Sequence, residues 1–302
     1  MQHPRIGFVG FGEAAQCFAS HLTAQGAGPI LAYCNGNANR PPYSEAFLAQ
    51  AARCGVTLVD TLESLSDMDV VFSAVVVAVA GTTGEAIAKI IRPDTLVIDI
   101  NASTPTTKKR VAKAVEARGG LFADANLMGA VSLYKAAVPL YTSGSGAAQF
   151  ASRFAPFGFT IDVASPEAGT AAAVKMLRSV VTKGIEALVV EALTAASLAG
   201  VRQEALRGIC DTMDATTFSK FVDMCIRTDV LHAERRAVEM EGVRDGLQEL
   251  GLEPVMTEAV VKRLRLSSDS ALRSNFAARQ SYSADDVLDA YRQKIALQLR
   301  PG

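Results

Sequence analysis

The chain has 302 residues and a mass of 31.8 kDa, a length that suggests two domains. Apolar residues make up 49% of the chain and charged residues 20%, which is ordinary for a globular protein and excludes a disordered one. The 30 basic and 31 acidic residues nearly balance, so we expect no nucleic-acid partner.

Three further sequence features narrow the class of protein. The longest apolar run, Val70–Ala80, is too short to span a bilayer, so no membrane partner is expected. An apolar run begins at Ile6, which leaves no room for a signal peptide and predicts a cytoplasmic location. The five cysteines are scattered without a CxxC pair, and they predict buried free thiols, with neither disulfides nor a metal site.

Up to about residue 165, short β-branched runs alternate with helical stretches. The predicted strands are Arg5–Val9, Ile30–Tyr33, Val56–Val59, Val70–Val76, Thr95–Asp99, Leu121–Asp124, Ala137–Tyr141 and Phe159–Val163. The predicted helices are Glu13–Gln25, Ser44–Cys54, Glu85–Ile91 and Pro105–Arg118. This alternation predicts an α/β fold with a doubly wound parallel sheet. The unbroken apolar run from Val70 predicts a central strand that is buried on both faces.

The second half is predicted to be entirely helical. Ser165–Glu167 offers a serine cap and a proline at the first helical position, so a helix should begin there. It should continue to Ala199, about 50 Å at 1.5 Å per residue, and connect two domains. Breaks between the later helices are predicted near Gly208, Gly251–Pro254 and Ser267–Ser268. We therefore predict one domain over residues 1–165 and an all-α domain over residues 166–302.

A glycine-rich turn, Gly10–Ala15, follows the first predicted strand and opens the first helix. Gly10 permits the tight turn, Gly12 lets the backbone approach a pyrophosphate, and Ala15 is small enough for helix–strand packing. The helix N-terminus adds free N–H groups and a positive dipole. The pattern predicts a Rossmann-type dinucleotide site, although a plain strand–turn–helix corner stays possible. Its contacts are expected from Gly10, Phe11, Gly12, Glu13, Ala14 and Ala15, with Val76, Val77 and Asn101.

The end of the second strand is where such folds read the adenosine ribose. Residues 33–40 contain no carboxylate that would repel a 2′-phosphate. Asn35, Asn37 and Arg40 could bind that phosphate, so the sequence favours NADP over NAD. In the alternative interpretation Arg40 is an ordinary solvated loop residue.

A polar stripe runs along the long predicted helix. Lys175, Ser179, Thr182 and Glu186 lie on one face at 3.6 residues per turn, among apolar neighbours. In a cleft, desolvation would lower the pKa of Lys175 and let the amine exchange a proton near neutral pH. Without other signals, the stripe alone favours an ordinary solvated or packed face over a catalytic one.

Four segments in conserved order along the chain resemble the β-hydroxyacid dehydrogenases, which include 3-hydroxyisobutyrate and 6-phosphogluconate dehydrogenases. Arg5–Ala15 resembles the family's opening, and Asp99–Pro105 resembles its segment near nicotinamide and substrate. Asp124–Ala130 occupies the place of its substrate motif, and Gly169–Ser179 matches its interdomain-helix motif. The similarity covers essentially the whole chain. It is strongest to an uncharacterised bacterial branch described as 6-phosphogluconate dehydrogenase-like.

The resemblance implies an NAD(P)-dependent dehydrogenase that acts on the CH–OH group of a β-hydroxyacid or related alcohol and forms a homodimer. It implies Lys175 as the general acid/base, with Ser179 in place of the family's usual asparagine. Expected substrate contacts are Asn101, Ser103, Asn126, Met128, Gly129 and Arg178. Met128 replaces a family serine, which puts the family's usual substrates in doubt. An imine- or enamine-reducing relative and a non-catalytic NADP sensor remain as alternatives.

Overall fold

The computed structural model describes residues 4–36 and 39–298, and in the first half of the chain it shows an eight-stranded sheet. The strands are β1 Ile6–Val9, β2 Ile30–Tyr33, β3 Val56–Leu58, β4 Val70–Ser73, β5 Leu96–Asp99, β6 Leu121–Leu127, β7 Leu140–Ser143 and β8 Ile161–Ser165. Their order is β3-β2-β1-β4-β5-β6-β7-β8, and within this sheet only the β6–β7 pair is antiparallel. The predicted Rossmann fold with extra strands is confirmed.

Helices connect the strands, and further helices follow the last strand. Those among the strands are α1 Glu13–Ala24, α2 Glu45–Arg53, α3 Ala80–Ile90, α4 Pro105–Glu116, α5 Val131–Tyr134 and α6 Ala147–Phe154. The later helices are α7 Thr170–Leu198, α8 Arg202–Asp214, α9 Phe218–Glu249, α10 Val255–Asp269, α11 Arg273–Ala277 and α12 Ala284–Gln298. None of these described helices is both long enough and apolar enough to cross a bilayer.

The chain forms two compact units, divided between Val180 and Val181 inside α7. We call them the sheet unit and the helical unit. The predicted domain boundary at residue 165 lies before this division, at the end of β8, and stays a prediction.

Apolar layers cover both faces of the sheet, as the β-branched runs require. On one face the ring of Phe72 stacks on Phe8, with 4.7 Å between centroids, and meets Phe154 edge-on. On the other face Val71 and Val97 pack with Val111 of α4. All six side chains are fully buried, so the helices on both faces are held by the sheet.

The predicted strand Val70–Val76 is too long, because β4 ends at Ser73. The N–H of Val75 donates to the side chain of Asn101, which takes this segment out of the strand ladder. A single turn of 3₁₀ helix, Val77–Val79, then leads into α3. As a result α3 begins at Ala80, five residues before the predicted start at Glu85.

The long helix also begins later than predicted. Ser165 still belongs to β8, and its hydroxyl accepts the N–H of Glu167 in a local turn. Gly169 has φ of +89°, so the chain turns there before α7 begins at Thr170. The cap-and-proline pattern at Ser165 was therefore wrong as a helix start, because pairing of β8 with β7 competes for the same residues.

Two smaller predictions are corrected. Helix α8 continues through Gly208, because a glycine in a helix interior weakens the helix without ending it. The predicted break near Ser267–Ser268 is confirmed, since α10 ends at Asp269. Of the five thiols predicted to be buried, only Cys34 is, and Cys210 is exposed on α8.

Candidate active site

A cleft of about 1130 Å³ opens at the carboxyl ends of the strands in the sheet unit. Its walls come from residues 9–15 after β1, 33–36 after β2, 74–77 after β4 and 100–102 after β5. The strand order reverses between β1 and β4, and open α/β sheets bind ligands at this point. The topology alone therefore favours this cleft as the ligand site.

The glycine turn shapes the floor of the cleft. Gly10 has φ of +90°, and a Cβ there would lie 2.2 Å from the carbonyl oxygen of Ala74. Gly12 immediately precedes α1, and a Cβ there would meet no described atom within 4 Å. The first-turn N–H groups of α1 lack partners within the helix and face an open approach. This arrangement suits the phosphates of a dinucleotide.

The other residues of the turn contribute in different ways. The side chain of Phe11 is buried against Phe47, so only its backbone is available to a ligand. Ala15 is fully buried under the turn, as its predicted packing role requires, and Ala14 is half-buried. Glu13 is exposed in the first turn of α1 and places a carboxylate beside the cleft.

One wall of the cleft is apolar. Val76 and Val77 are 71% and 58% exposed, unusual values for valine, and both line the cleft. Exposed apolar side chains that gather on a concave surface are typical of ligand sites. The segment that the sequence predicted as a buried strand is thus the wall of the candidate site.

The end of the cleft that follows β2, where such folds contact the adenosine ribose, is lined by Asn35, Gly36 and Asn39. Arg40 is exposed and does not belong to the lining. Asn37, the third predicted phosphate contact, lies outside the described residues. Burial raises the pKa of Cys34, at this same end, to about 11, so its thiol stays protonated.

Asn101 lines the cleft but its side chain is already engaged. Its amide nitrogen donates to Ser73 at 2.9 Å and to Asp99 at 2.7 Å, and its oxygen accepts the N–H of Val75 at 2.6 Å. In this arrangement both amide hydrogens are used inside the protein. Asn101 therefore supports the cleft wall at Val75 and has no amide hydrogen left for a substrate.

Lys175 is half-buried on α7 and is not among the residues that line the cleft. Ser179 turns its hydroxyl to the helix, where it donates to the carbonyl oxygen of Lys175 at 2.9 Å. One turn after Lys175, Arg178 donates to the carbonyl oxygen of Met128 at 2.9 Å and so connects α7 to the segment after β6. The two other members of the polar stripe, Thr182 and Glu186, are exposed.

The remaining predicted substrate contacts differ in accessibility. Asn126 is buried and donates to Asp124 at 2.8 Å. The hydroxyl oxygen of Ser103 is buried and has no hydrogen-bond partner among the described residues, which suits a ligand contact. A Cβ at Gly129 would lie 2.9 Å from the ring of Tyr134, so a larger residue there would have to displace that ring.

The sequence did not identify several residues that line the cleft. They are Cys34, Gly36, Asn39, Leu62, Thr82 and Thr83. Thr82 and Thr83 were missed because α3 begins earlier than predicted, and the residues of the loop after β2 could have been inferred from their place at the edge of the sheet. The described residues contain no cluster of three or more histidine, cysteine or acidic side chains that could hold a metal ion.

Two family models match parts of the chain. Residues 5–103 match the family described as NADP oxidoreductase, coenzyme F420-dependent. Residues 196–267 match a domain of unknown function, DUF1932.

Solved structures similar to this chain cover almost its whole length. The conserved protein MTH1747 is 32% identical over 89% of this chain and 98% of its own, with a TM-score of 0.60. It is described as a protein of unknown function with structural similarity to 3-hydroxyacid dehydrogenases. A conserved hypothetical protein from Sinorhizobium meliloti is 29% identical over 97% of both chains, with a TM-score of 0.62. An imine reductase variant from Myxococcus stipitatus, solved with NAD⁺, is 14% identical over 91% of this chain and 99% of its own, with a TM-score of 0.74. This last likeness shows the fold alone.

Proposed function

This chain belongs to the β-hydroxyacid dehydrogenase-like proteins, a family of nicotinamide-dependent oxidoreductases, and we propose that it transfers a hydride between NADP and a β-hydroxyacid or related alcohol. The observation that carries the proposal is the cleft at the strand ends, with its glycine turn and its exposed valine wall. The lysine motif on α7 supplies the candidate acid/base.

The residues of the cleft fit a nicotinamide dinucleotide. The first turn of α1 would hold the pyrophosphate, since Gly12 leaves its N–H groups open. Val76 and Val77 would pack against an aromatic ring, and Asn35 and Asn39 would contact the adenosine ribose. The bound cofactor supplies the hydride acceptor or donor.

Lys175 is the group to which we assign the proton. In the oxidation direction its neutral amine removes the hydroxyl proton of the substrate, and in reduction the ammonium returns it. Ser103 and Arg178 are the proposed contacts for the polar or carboxylate part of the substrate. The Ser103 hydroxyl lacks a described partner, and Arg178 has donors beyond the one given to Met128.

The first test is turnover by purified full-length protein on a panel of hydroxyacids, sugar acids, amino alcohols and cyclic imines, followed by the absorbance of reduced nicotinamide. Lys175→Met should lower kcat by about 10²- to 10⁴-fold, the usual contribution of general acid–base catalysis. Binding of NADP should be unchanged, because Lys175 does not line the cleft.

Lys183→Met is the matched control, because Lys183 is an exposed lysine on the same helix. It should keep wild-type turnover. Near-normal turnover by Lys175→Met would contradict the proposed role of the amine. Binding of NADP in calorimetry without turnover of any panel member would instead favour the non-catalytic sensor.

Reduction of an imine or enamine is the second candidate. Met128 and Ser179 stand where the resembled family has a serine and an asparagine, so two hydrogen-bonding groups for a hydroxyacid are changed. An imine reductase also shares the fold. Turnover of the cyclic imines without turnover of any hydroxyacid would select this function.

We also propose that NADP is preferred over NAD. No carboxylate lies between residues 33 and 40, and the cleft lining at this end offers Asn35 and Asn39. The ratio of kcat/KM for NADP over NAD should be about tenfold, equivalent to 1.4 kcal/mol. Asn39→Asp should reduce this ratio by repelling the 2′-phosphate, and Asn39→Ala should reduce it less. A wild-type preference for NAD would contradict the proposal.

The homodimer is the third part of the proposal. Helix α8 has no buried residue, and large apolar side chains such as Val190, Leu198 and Phe218 are more than half exposed. A second copy of the chain would remove this surface from water. Light scattering should give twice the chain mass of 31.8 kDa. The mass of a single chain at micromolar concentration would contradict it.

A further inference from the structure

A row of polar side chains crosses the interior of the sheet unit. Ser73, Asp99, Asp124 and Ser143 are in register on the neighbouring strands β4, β5, β6 and β7, and all four are fully buried. Lys108 of α4 is also fully buried, with its amine 3.0 Å from Asp99 Oδ1 and 3.1 Å from Asp124 Oδ1. Buried charges require such partners, so the row is a single connected network.

One end of this network supports the cofactor cleft. The amine of Lys108 also donates to the carbonyl oxygen of Asp99 at 2.8 Å. The carboxylate of Asp99 accepts from the Asn101 side chain, and Asn101 in turn accepts the N–H of Val75. The cleft wall after β4 is thereby fixed to Lys108 through two side chains.

The other end holds the beginning of α7. Asp124 Oδ2 accepts the N–H groups of Gly169 at 3.2 Å and Ala172 at 3.0 Å. Ser143 Oγ accepts the N–H of Ala171 at 3.0 Å and donates to Asp124 at 3.3 Å. The N–H groups of Ala171 and Ala172 belong to the first turn of α7 and have no partner within the helix, and Gly169 immediately precedes that turn. The positive end of the helix dipole also favours the carboxylate there.

We propose that Lys108 and Asp124 are positioning residues that fix the first turn of α7, and hence Lys175 one turn further on, relative to the cleft wall at Val75. This inference rests on the proposed function, because it takes Lys175 as the acid/base. Neither positioning residue lines the cleft, so they act only through their neighbours. A shift of about 1 Å in a reacting group costs up to about a hundredfold in rate.

The test compares full-length variants in the presence of NADP⁺. Replacing Lys108 would leave two buried carboxylates without their counter-ion and could prevent folding. Asp124→Asn keeps the shape of the side chain and removes one charge, and Ser143→Ala is a milder second variant. The matched control is Glu167→Gln, which removes an exposed ion pair with Lys109 between α4 and the segment before α7.

Three quantities are measured: kcat on the substrate found by the panel, the dissociation constant of NADP⁺, and hydrogen exchange of the amides of residues 169–175. Asp124→Asn should lower kcat by about tenfold to a hundredfold and speed the exchange, with NADP⁺ binding unchanged. Ser143→Ala should change kcat and exchange in the same direction by less. Glu167→Gln should change each quantity by no more than about twofold, as for an exposed ion pair.

Several results would overturn the inference. These are wild-type exchange in both variants, faster exchange with wild-type kcat, and a loss of NADP⁺ binding in parallel with kcat. The last of these would indicate a general loss of folding. If Lys175→Met keeps its turnover, the proposed function fails, and the exchange rates of Asp124→Asn still decide whether Asp124 fixes α7.

Discussion

The sheet unit buries charges in its interior, whereas the helical unit leaves large apolar side chains exposed. In the sheet unit Lys108, Asp99 and Asp124 lie in the interior with essentially no exposure. In the helical unit Val190, Leu198 and Phe218 are more than half exposed. The buried residues of α9 are only Val230, Ala233 and Ala237. Charged groups are usually exposed and large apolar groups usually buried, so each unit departs from the usual distribution in its own way.

The two inversions have different physical meanings. A buried charge is tolerated when its partners are fixed, and such a network specifies one arrangement of the groups that it joins. An exposed apolar surface favours a further surface that covers it. The buried charges of the sheet unit thus have their partners inside that unit, while the exposed apolar surface of the helical unit is the surface that we propose a second copy covers.

The largest expected difference between the two units is the effect of a glycine substitution on stability. Gly10→Ala would place a methyl group 2.2 Å from the Ala74 oxygen at a φ of +90°. The strain should destabilise the protein by more than about 1–3 kcal/mol and abolish NADP binding. Gly246→Ala, inside α9, meets no described atom within 4 Å and should stabilise the protein by about 0.5–1 kcal/mol. Denaturant unfolding at one protein concentration measures the change in stability of both variants.

Gly12→Ala is the control that separates folding from binding. Its added methyl group meets no described atom, so stability should change by less than about 1 kcal/mol. NADP affinity should nevertheless fall, because the methyl group enters the approach to the first turn of α1. Unchanged NADP affinity in Gly12→Ala would show that the phosphates do not lie at this turn.

The sequence predicted the sheet well where local patterns and long-range pairing agree. Periods of apolar residues located all eight strands, and β2 matches its prediction at both ends. The errors occur where a long-range contact outweighs a local preference. Val75 leaves the strand ladder for Asn101, and Ser165 stays in β8 although it resembles a helix cap. Neither Asn101, the partner of Val75, nor β7, the partner of the strand that contains Ser165, can be identified from the local sequence.

The candidate site could be predicted only where its residues form a local sequence motif. The glycine turn is a local motif, and its residues do line the cleft. The Lys108 network joins residues of α4, β5, β6 and α7, far apart in the chain, and a lysine in an amphipathic helix normally indicates a solvated face. The positions of Lys175, Ser179 and Arg178 relative to a substrate stay a prediction.

The smallest expected effect concerns acid stability in the helical unit. Glu191 accepts the N–H groups of Met256 and Thr257 at the start of α10, together with the Thr257 hydroxyl. Partial burial opposes ionisation of Glu191, but these hydrogen bonds outweigh it and hold its pKa below the usual value. A lowered pKa in the folded state means that the stabilisation is present above the unfolded-state pKa and is lost as the pH falls through the folded-state pKa.

Glu191→Gln should therefore lower the free energy of unfolding at neutral pH by about 0.5–2 kcal/mol, the range for a lost helix cap. Its difference from wild type should shrink as the pH falls through the lowered pKa of Glu191, because the wild-type carboxylate then becomes protonated. Glu186→Gln, exposed on the same helix, should show neither change. A difference between wild type and Glu191→Gln that is the same at neutral and acid pH would mean that side-chain shape, and not charge, holds the start of α10.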